Sequence, residues 1–388
     1  MNHINDVNPN RYNCSGCSAC MSACPKGCIT MNKDEEGFAY PEVDTSLCIN
    51  CGACVKACIW TKDKPEAIKN YPLVYAAKNK CDEIRSVSTS GGMFTALATE
   101  VLLMGGGGEG VAYGASFVPE SQRVEHISVA EIKNLHKLRG SKYVQSWIGN
   151  CYKEIREQLK NGKTILFTGT PCQCAGLRTF LNKDYDNLII VDILCHSVPS
   201  PKVFEDVLLS YGNKVSNISF RDKKLGWRGS YHFQIFQGEK SFTNETYLTM
   251  LFKGLTNRPS CYHCRFTSTV RPSDITIGDY WNIKAVNPSF EDRLGVSCLL
   301  INNGKGKLFF DKISDSLDFV QTPLEPAIQV CMSRNVKEPR SRKRFWKDYK
   351  KEGIKFCEEK YGYKTIWERL RDNQLAPIVR KIKKMLKS

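Results

Sequence analysis

Cysteines at 14, 17, 20 and 24 follow the spacing C-x2-C-x2-C-x3-C with Pro25 after the last, and Cys48, Cys51, Cys54 and Cys58 repeat it with Ile59 in place of the proline. Three thiolates two residues apart wrap a tight loop around one face of a [4Fe–4S] cubane, and the fourth, three residues on, points at the neighbouring cluster. The expected ligand sets are therefore Cys14, Cys17, Cys20 and Cys58 for one cubane, and Cys48, Cys51, Cys54 and Cys24 for the other. This is the arrangement of a bacterial-type dicluster ferredoxin. Structural zinc takes two pairs of ligands rather than two combs of four. A disulfide framework belongs to secreted chains, and the sequence shows neither a secretory leader nor a membrane-spanning apolar run. The expected compartment is a reducing cytoplasm.

Four dispersed thiols are candidates for a third centre. Cys261 and Cys264 form a C-x2-C hook that supplies half a site, which could equally hold zinc or act as a dithiol. Residues 163–168 read as an apolar strand running into Gly169-Thr170-Pro171-Cys172, and 187–194 as a strand buried on both faces, ending at Cys195-His196. Consecutive strands joined by a helix are usually parallel, so Cys172 and Cys195 are expected together on the C-terminal rim of a sheet, where such sheets bind ligands. We expect a third cubane on Cys172, Cys195, Cys261 and Cys264. Cys174 competes with Cys172 but points away along an emerging helix. The other seven cysteines (28, 81, 151, 174, 298, 331 and 357) read as core or surface thiols.

Around these residues the chain reads as an α/β catalytic domain with a mixed, partly parallel sheet over 66–320. A small α+β ferredoxin domain precedes it over 1–65, and a basic helical C-terminal region follows over 321–388. Between the combs, 29–43 suggests strands around a turn at 34–37. Residues 62–70 suit a linker, and 71–78, 111–117, 124–130, 274–277 and 296–302 read as strands. Residues 216–240 suggest a hairpin. The serine- and glycine-rich stretch before the helix at 91–104 is an anion-site candidate, or an ordinary helix start capped by Ser88 or Ser90. The run Gly105–Gly108 follows a helix rather than a strand, so it reads as a connector and not as a dinucleotide fingerprint.

Net charge is +16 over 388 residues, and residues 334–388 carry 19 Lys or Arg against 7 Asp or Glu. The basic excess is thus mostly C-terminal, which suits an acidic partner or an anionic surface better than general nucleic-acid binding. Leu375, Ile378, Val379, Ile382 and Leu386 share one helical face, flanked by lysines and an arginine. Such a helix packs on its own domain, grips an acidic ferredoxin, or makes a peripheral membrane contact.

Ser90-Gly91-Gly92, the run from Gly140 through Ser141, Lys142, Tyr143 and Gln145 to Ser146, Gly169-Thr170-Pro171-Cys172-Gln173, Cys195-His196, Cys261-x-x-Cys264 and Gly278-Asp279-Tyr280-Trp281 together resemble the family of coenzyme F420 hydrogenase/dehydrogenase beta subunits. The resemblance runs to about residue 316 and implies FAD held beside an iron–sulfur cluster. It implies contacts from Ser90, Gly91, Gly92, Ser141, Lys142, Tyr143, Gln145, Ser146, Thr170, Pro171, Gln173 and Asp279. The family usually has glycine after Cys195-His196, where this chain has Ser197. The expected activity is an FAD- and iron–sulfur-dependent oxidoreductase, relaying electrons between a ferredoxin-like donor and an organic two-electron acceptor such as coenzyme F420. Lys142 is the candidate phosphate or flavin contact, and His196 a candidate proton donor or a hydrogen-bonded structural histidine. The rival reading is a non-catalytic electron-transfer subunit serving a partner enzyme.

Overall fold

The computed structural model describes residues 3–8, 12–104, 109–212 and 214–363. The glycine run 105–108 and the amphipathic basic segment from 375 onward lie outside the described residues.

In the N-terminal head, β1 (Ile29–Lys33) pairs antiparallel with β2 (Ala39–Val43). Asp34 closes the turn between them, its Oδ1 accepting the N–H groups of Glu36 and Phe38 at 3.0 and 2.8 Å. Short helices, Ala19–Ala23 and Ala53–Lys56, carry the third cysteine of each comb.

The body contains, among the described residues, an eight-stranded sheet. Its strands are β3 (Leu73–Asn79), β4 (Gly110–Val118), β5 (Arg123–Val129), β6 (Thr164–Gly169), β7 (Leu188–Ile193), β11 (Ile275–Asp279), β12 (Ser297–Ile301) and β13 (Leu317–Thr322). They lie in the order β13-β3-β12-β11-β7-β6-β4-β5. The run β4, β6, β7, β11 is parallel, and β3 shares its direction; β5, β12 and β13 oppose it. The expected parallel pairing of β6 with β7 is thus present, so Cys172 and Cys195 do leave the sheet on the same rim.

The central strands are apolar throughout because both faces are covered. Leu166, Ile189 and Val191 pack beneath helices Met93–Leu103 and Gly304–Ile313, while Ile165, Phe167, Leu188 and Ile190 pack against helices Cys151–Lys160 and Pro171–Leu181. A second sheet is formed by β8 (Asn217–Arg221), β9 (Tyr231–Gln237) and β10 (Lys240–Asn244). Its aromatic core joins Phe220 and Phe233, stacked 4.3 Å apart, to Phe204, Tyr247 and Phe345.

Three expectations are corrected. The expected boundary at 320 is crossed by an edge strand, β13, so the region after it does not begin as helix. Only Leu317 and Thr322 of that strand are buried, which leaves too weak an alternation to read in advance. Neither Ser88 nor Ser90 caps the helix Met93–Leu103. Ser88 donates to the Ile84 carbonyl and Ser90 to the Val296 carbonyl, and Gly92, at φ +87°, precedes the helix with no side-chain cap. Helix Arg342–Tyr361 belongs to the second sheet's core through Phe345, Tyr349 and Cys357 rather than to a separate tail.

Candidate functional site

Cys14, Cys17, Cys20 and Cys58 line one cavity of about 230 Å³ in the head. Ser15 Oγ and Trp60 Nε1 belong to residues of the same cavity wall, are buried, and make no hydrogen bond within the chain. Unpaired buried donors beside four thiols fit a cubane, whose sulfurs accept hydrogen bonds. Burial pushes the Cys17, Cys20 and Cys58 thiols up, so holding them as thiolates needs the charge of a metal centre.

Cys24, Cys48, Cys51 and Cys54 line a second, smaller cavity, where Cys28 joins them. The sequence reading placed Cys28 among core and surface thiols; its Sγ lies 3.3 Å from Cys24 Sγ. The hydrogen bond to Cys24, and then burial, push the Cys28 thiol up to about 11. At Cys24 the upward push of burial is outweighed by hydrogen bonds from Cys28 and from local backbone, so that thiol is lowered. Cys24 and Cys28 thus share one hydrogen bond within the second cavity. Both expected ligand sets of the head are gathered.

At the rim, burial raises the Cys195 thiol well above the ordinary range, and the neighbouring Cys261, Cys172 and Cys264 sulfurs raise it further. Burial also pushes Cys261 up to about 12, with Cys264 and Cys172 again adding to the rise. The four dispersed cysteines thus come together. Cys174 is fully buried and donates to the Val191 carbonyl, out of this group. Cys331, not foreseen here, lies close enough to raise Cys195. Among the described residues no group of three or more His, Cys, Asp or Glu side chains is close enough to grip a single ion.

The first and third thiol sets adjoin. Cys172 lies close enough to Cys17 to push its thiol further up, and Ile59, Ala175 and Phe266 pack around both. A Cβ on Gly176 would stand 3.0 Å from both Cβ and Sγ of Cys17. Glycine inside a helix costs about 1 kcal/mol against alanine, so its presence here answers a packing need. Gly176→Leu is expected to displace Cys17, lower stability by about 1–3 kcal/mol and reduce bound iron; thermal melts and iron analysis on anaerobically prepared protein check this.

A buried chain of hydrogen bonds holds the Cys172 turn. Thr170 Oγ1 lies 3.1 Å from Cys172 Sγ, and Gln173 Oε1 accepts from Thr170 N at 3.0 Å. Gln173 Nε2 donates to Ser146 Oγ, which meets His126 Nδ1, each at 2.9 Å. His126 Nε2 lies 3.0 Å from the Thr168 carbonyl, and since a carbonyl only accepts, Nε2 carries a proton. Burial lowers His126 to about 4, the Thr168 bond opposing and Lys142 assisting. A histidine held below its unfolded value contributes fully above pH 6.5, and its contribution is lost as pH falls from there toward 4. His126→Gln is expected to abolish about 2 kcal/mol of the stability lost between pH 7 and pH 5, measured by denaturant titration.

Five of the residues expected near a flavin serve this inner scaffold. Ser146, Thr170 and Gln173 sit in the chain just described, Pro171 is buried at the helix start, and Gln145 joins head to body by donating to the Ser15 carbonyl at 3.0 Å. The other seven gather further along the rim. Gly91 N donates to Ser297 Oγ, and Ser141 N to Thr89 Oγ1, each at 2.9 Å, which brings the Ser90–Gly92 loop against the Ser141–Tyr143 loop. Lys142 Nζ donates to the Arg139 and Lys137 carbonyls at 2.7 and 3.2 Å, with no carboxylate among its recorded partners. Burial depresses its ammonium to about 7.

Asp279 closes this rim. It accepts from Arg221 at 3.0 Å and from Trp227 Nε1 at 2.8 Å, and Trp227 stacks on Trp281 at 4.8 Å. His196 reaches solvent nearby; the surrounding protein lowers its ring, and Asp279 draws it partly back. Sequence reasoning missed Arg221, Lys223 and Trp227. Lys223 Nζ donates to the carbonyls of Arg85, Ser90 and Leu294, and burial, with Arg85 adding to it, lowers it to about 7. The signal was the basic run Arg221-Asp222-Lys223-Lys224 ahead of Trp227.

The chain thus has a ferredoxin-type head and a mixed α/β body, with Cys195 just past β7 and Cys172 at the start of the helix that follows β6. Residues 13–61 match the 4Fe-4S dicluster domain, and residues 162–326 match the C terminus of the coenzyme F420 hydrogenase/dehydrogenase beta subunit. Residues 162–326 thus carry the C-terminal domain of the coenzyme F420 hydrogenase/dehydrogenase beta-subunit family, with a dicluster domain fused ahead of it. It is 20% identical over 344 residues to the F subunit of F(420)H(2) dehydrogenase from Methanosarcina mazei, covering 82% of this chain and 86% of that one. The head alone is 38% identical over 61 residues to NADH-quinone oxidoreductase subunit I 2 of Geobacter metallireducens, covering 14% of this chain and 47% of that one. A chain of the F420-reducing [NiFe] hydrogenase complex from Methanosarcina barkeri superposes with a TM-score of 0.46 at 18% identity, covering 77% of this chain and 94% of that one. The protein is an iron–sulfur electron-transfer protein of the oxidoreductase class. No helix among the described residues is long and apolar enough to cross a membrane.

Proposed function

We propose that this chain is an iron–sulfur flavoprotein oxidoreductase with three [4Fe–4S] centres and one FAD, acting between a ferredoxin-like protein and an organic two-electron acceptor. The observation that carries the reading is the order of sites. The Cys14 cavity lies against the Cys172 set through Cys17 and Gly176, and the Cys172 set shares its sheet rim with the Lys142 and Asp279 loops. When bound, cubanes carry single electrons and a flavin pairs them for hydride transfer.

In this reading Lys142, Lys223 and the uncapped N-terminus of helix Met93–Leu103 supply positive charge for an anionic cofactor group. Trp227 and Trp281 wall the rim, and Asp279 fixes Arg221 there. His196, open to solvent beside Asp279, is the group positioned to hold or release a proton at its ring. Coenzyme F420 is the first acceptor to try, because the Methanosarcina mazei relative is named as a dehydrogenase of its reduced form.

Anaerobic purification is expected to give a yellow-brown protein with about twelve irons and one flavin per chain; a flavin-free protein rejects the reading. A second reading, an electron-transfer subunit without its own acceptor, draws on two observations: both relatives are named as subunits, and Leu47 and Ile49 are exposed beside the exposed Cys51. Oxidation of reduced coenzyme F420 by the isolated chain, with a one-electron dye as acceptor, excludes that second reading.

A further inference from the structure

Arg258 is fully buried, with no carboxylate among its recorded partners. Its guanidinium leaves the body and enters the head. Nε donates to the Cys14 carbonyl at 2.7 Å, one terminal nitrogen to Gln145 Oε1 at 2.9 Å, and the other to the Ala39 carbonyl at 2.9 Å. The Tyr40 ring lies 4.4 Å from its central carbon and the Phe38 ring 5.2 Å. Gly16, inside the first comb, has no room for a Cβ because this guanidinium stands 2.8 Å from where it would be. The backbone of the same residue serves the third thiol set: its carbonyl accepts the Cys261 N–H at 2.9 Å.

One residue therefore touches a ligand of the first set with its side chain and a ligand of the third with its main chain. A full positive charge withdrawn from water is costly unless an opposite charge balances it. None of its five recorded partners is anionic, whereas the two thiol sets on either side are the places where negative charge would collect. We infer that Arg258 is a positioning and potential-setting residue shared by the first and third centres. Its charge stabilises the more negative, reduced form of both, so it holds both reduction potentials above what bare thiolate ligation would give. The second thiol set makes none of these contacts and is not tuned by it.

This inference rests on the three-cubane reading, and one experiment separates their failures. Anaerobically purified wild type, Arg258→Gln, Arg258→Lys and Gln145→Glu are assayed for iron and titrated with dithionite while cubane signals are followed by electron paramagnetic resonance. With twelve irons retained, Arg258→Gln is expected to make reduction of two of the three centres at least tenfold harder, a fall of 59 mV for a one-electron couple. Arg258→Lys, which keeps the charge, is expected to stay near wild type, and the remaining centre to be unchanged in all variants. Gln145→Glu puts a carboxylate against the guanidinium without removing it, and is expected to move the same two centres in the same direction. If Arg258→Gln does not fold, Gln145→Glu decides alone. Unchanged potentials in a fully loaded variant overturn the inference and leave Arg258 as a clamp between domains; a wild type with only eight irons overturns the three-cubane reading instead.

Discussion

Cys195→Ser is expected to lose about four of twelve irons while both head centres stay loaded. The four rim thiols come from three separate places, the start of helix Pro171–Leu181, the end of β7, and the turn Pro259–His263 with the cysteine that follows it. A site assembled in that way depends on all its ligands, since no comb of neighbours remains to retain the cluster when one is lost. In the head, by contrast, three ligands of each set lie in one loop and the cavity walls are made within residues 4–60. The loss is therefore confined to the body. Because a missing second-sphere partner alone costs roughly 10–100-fold in metal affinity, loss of a ligand is expected to exceed that. Iron analysis paired with counting of cubane signals reads the result directly. Twelve irons in the variant would mean that another group, such as the neighbouring Cys331, replaces Cys195.

Lys142→Met is expected to stabilise the fold and abolish flavin retention. The ammonium is held near a pKa of about 7 by burial, with two carbonyls as its recorded partners. A lysine whose folded value lies below its unfolded value destabilises the protein progressively as pH falls from about 10.5 to 7, and fully below that. Replacing it with an apolar side chain of similar length removes that cost, worth about 1–3 kcal/mol for a half-buried group. The same charge is what an anionic cofactor would neutralise, so the residue is kept at the expense of stability. Thermal midpoints at pH 7 and pH 10, together with flavin content after gel filtration, test both halves. The gain should be present at pH 7 and smaller at pH 10. A variant that melts higher but keeps its flavin would assign Lys142 a different ligand.

Much of the site was legible before folding was considered, for reasons that differ by region. The two combs carry their geometry in their spacing, because a cubane demands consecutive thiolates on one loop and so writes its requirements locally. The parallel pair β6 and β7 was readable because strands buried on both faces become unbroken apolar runs. With that pairing, Cys172 and Cys195 fall on one rim, and the hook at Cys261 and Cys264 had only one pair of thiols to join.

Other features depended on contacts between distant residues, which no local pattern records. Gln145, Ser146, Thr170 and Gln173 were read as flavin contacts, yet their polar atoms face Arg258, His126, Cys172 and one another. Nothing along the chain links His126 to Thr168, or Arg258 to Cys14; those bonds exist because the body's sheet sets His126 beside β6 and drives a loop into the head. Cys28 read as a spare thiol because its partner is defined only once the second cavity closes. By itself, then, the amino-acid order determined the two cysteine combs of the dicluster head, since ligand spacing within a comb is a short-range property. Tertiary packing alone decided which charges and hydrogen bonds surround those sulfurs, since that depends on segments more than a hundred residues apart meeting out of reach of water.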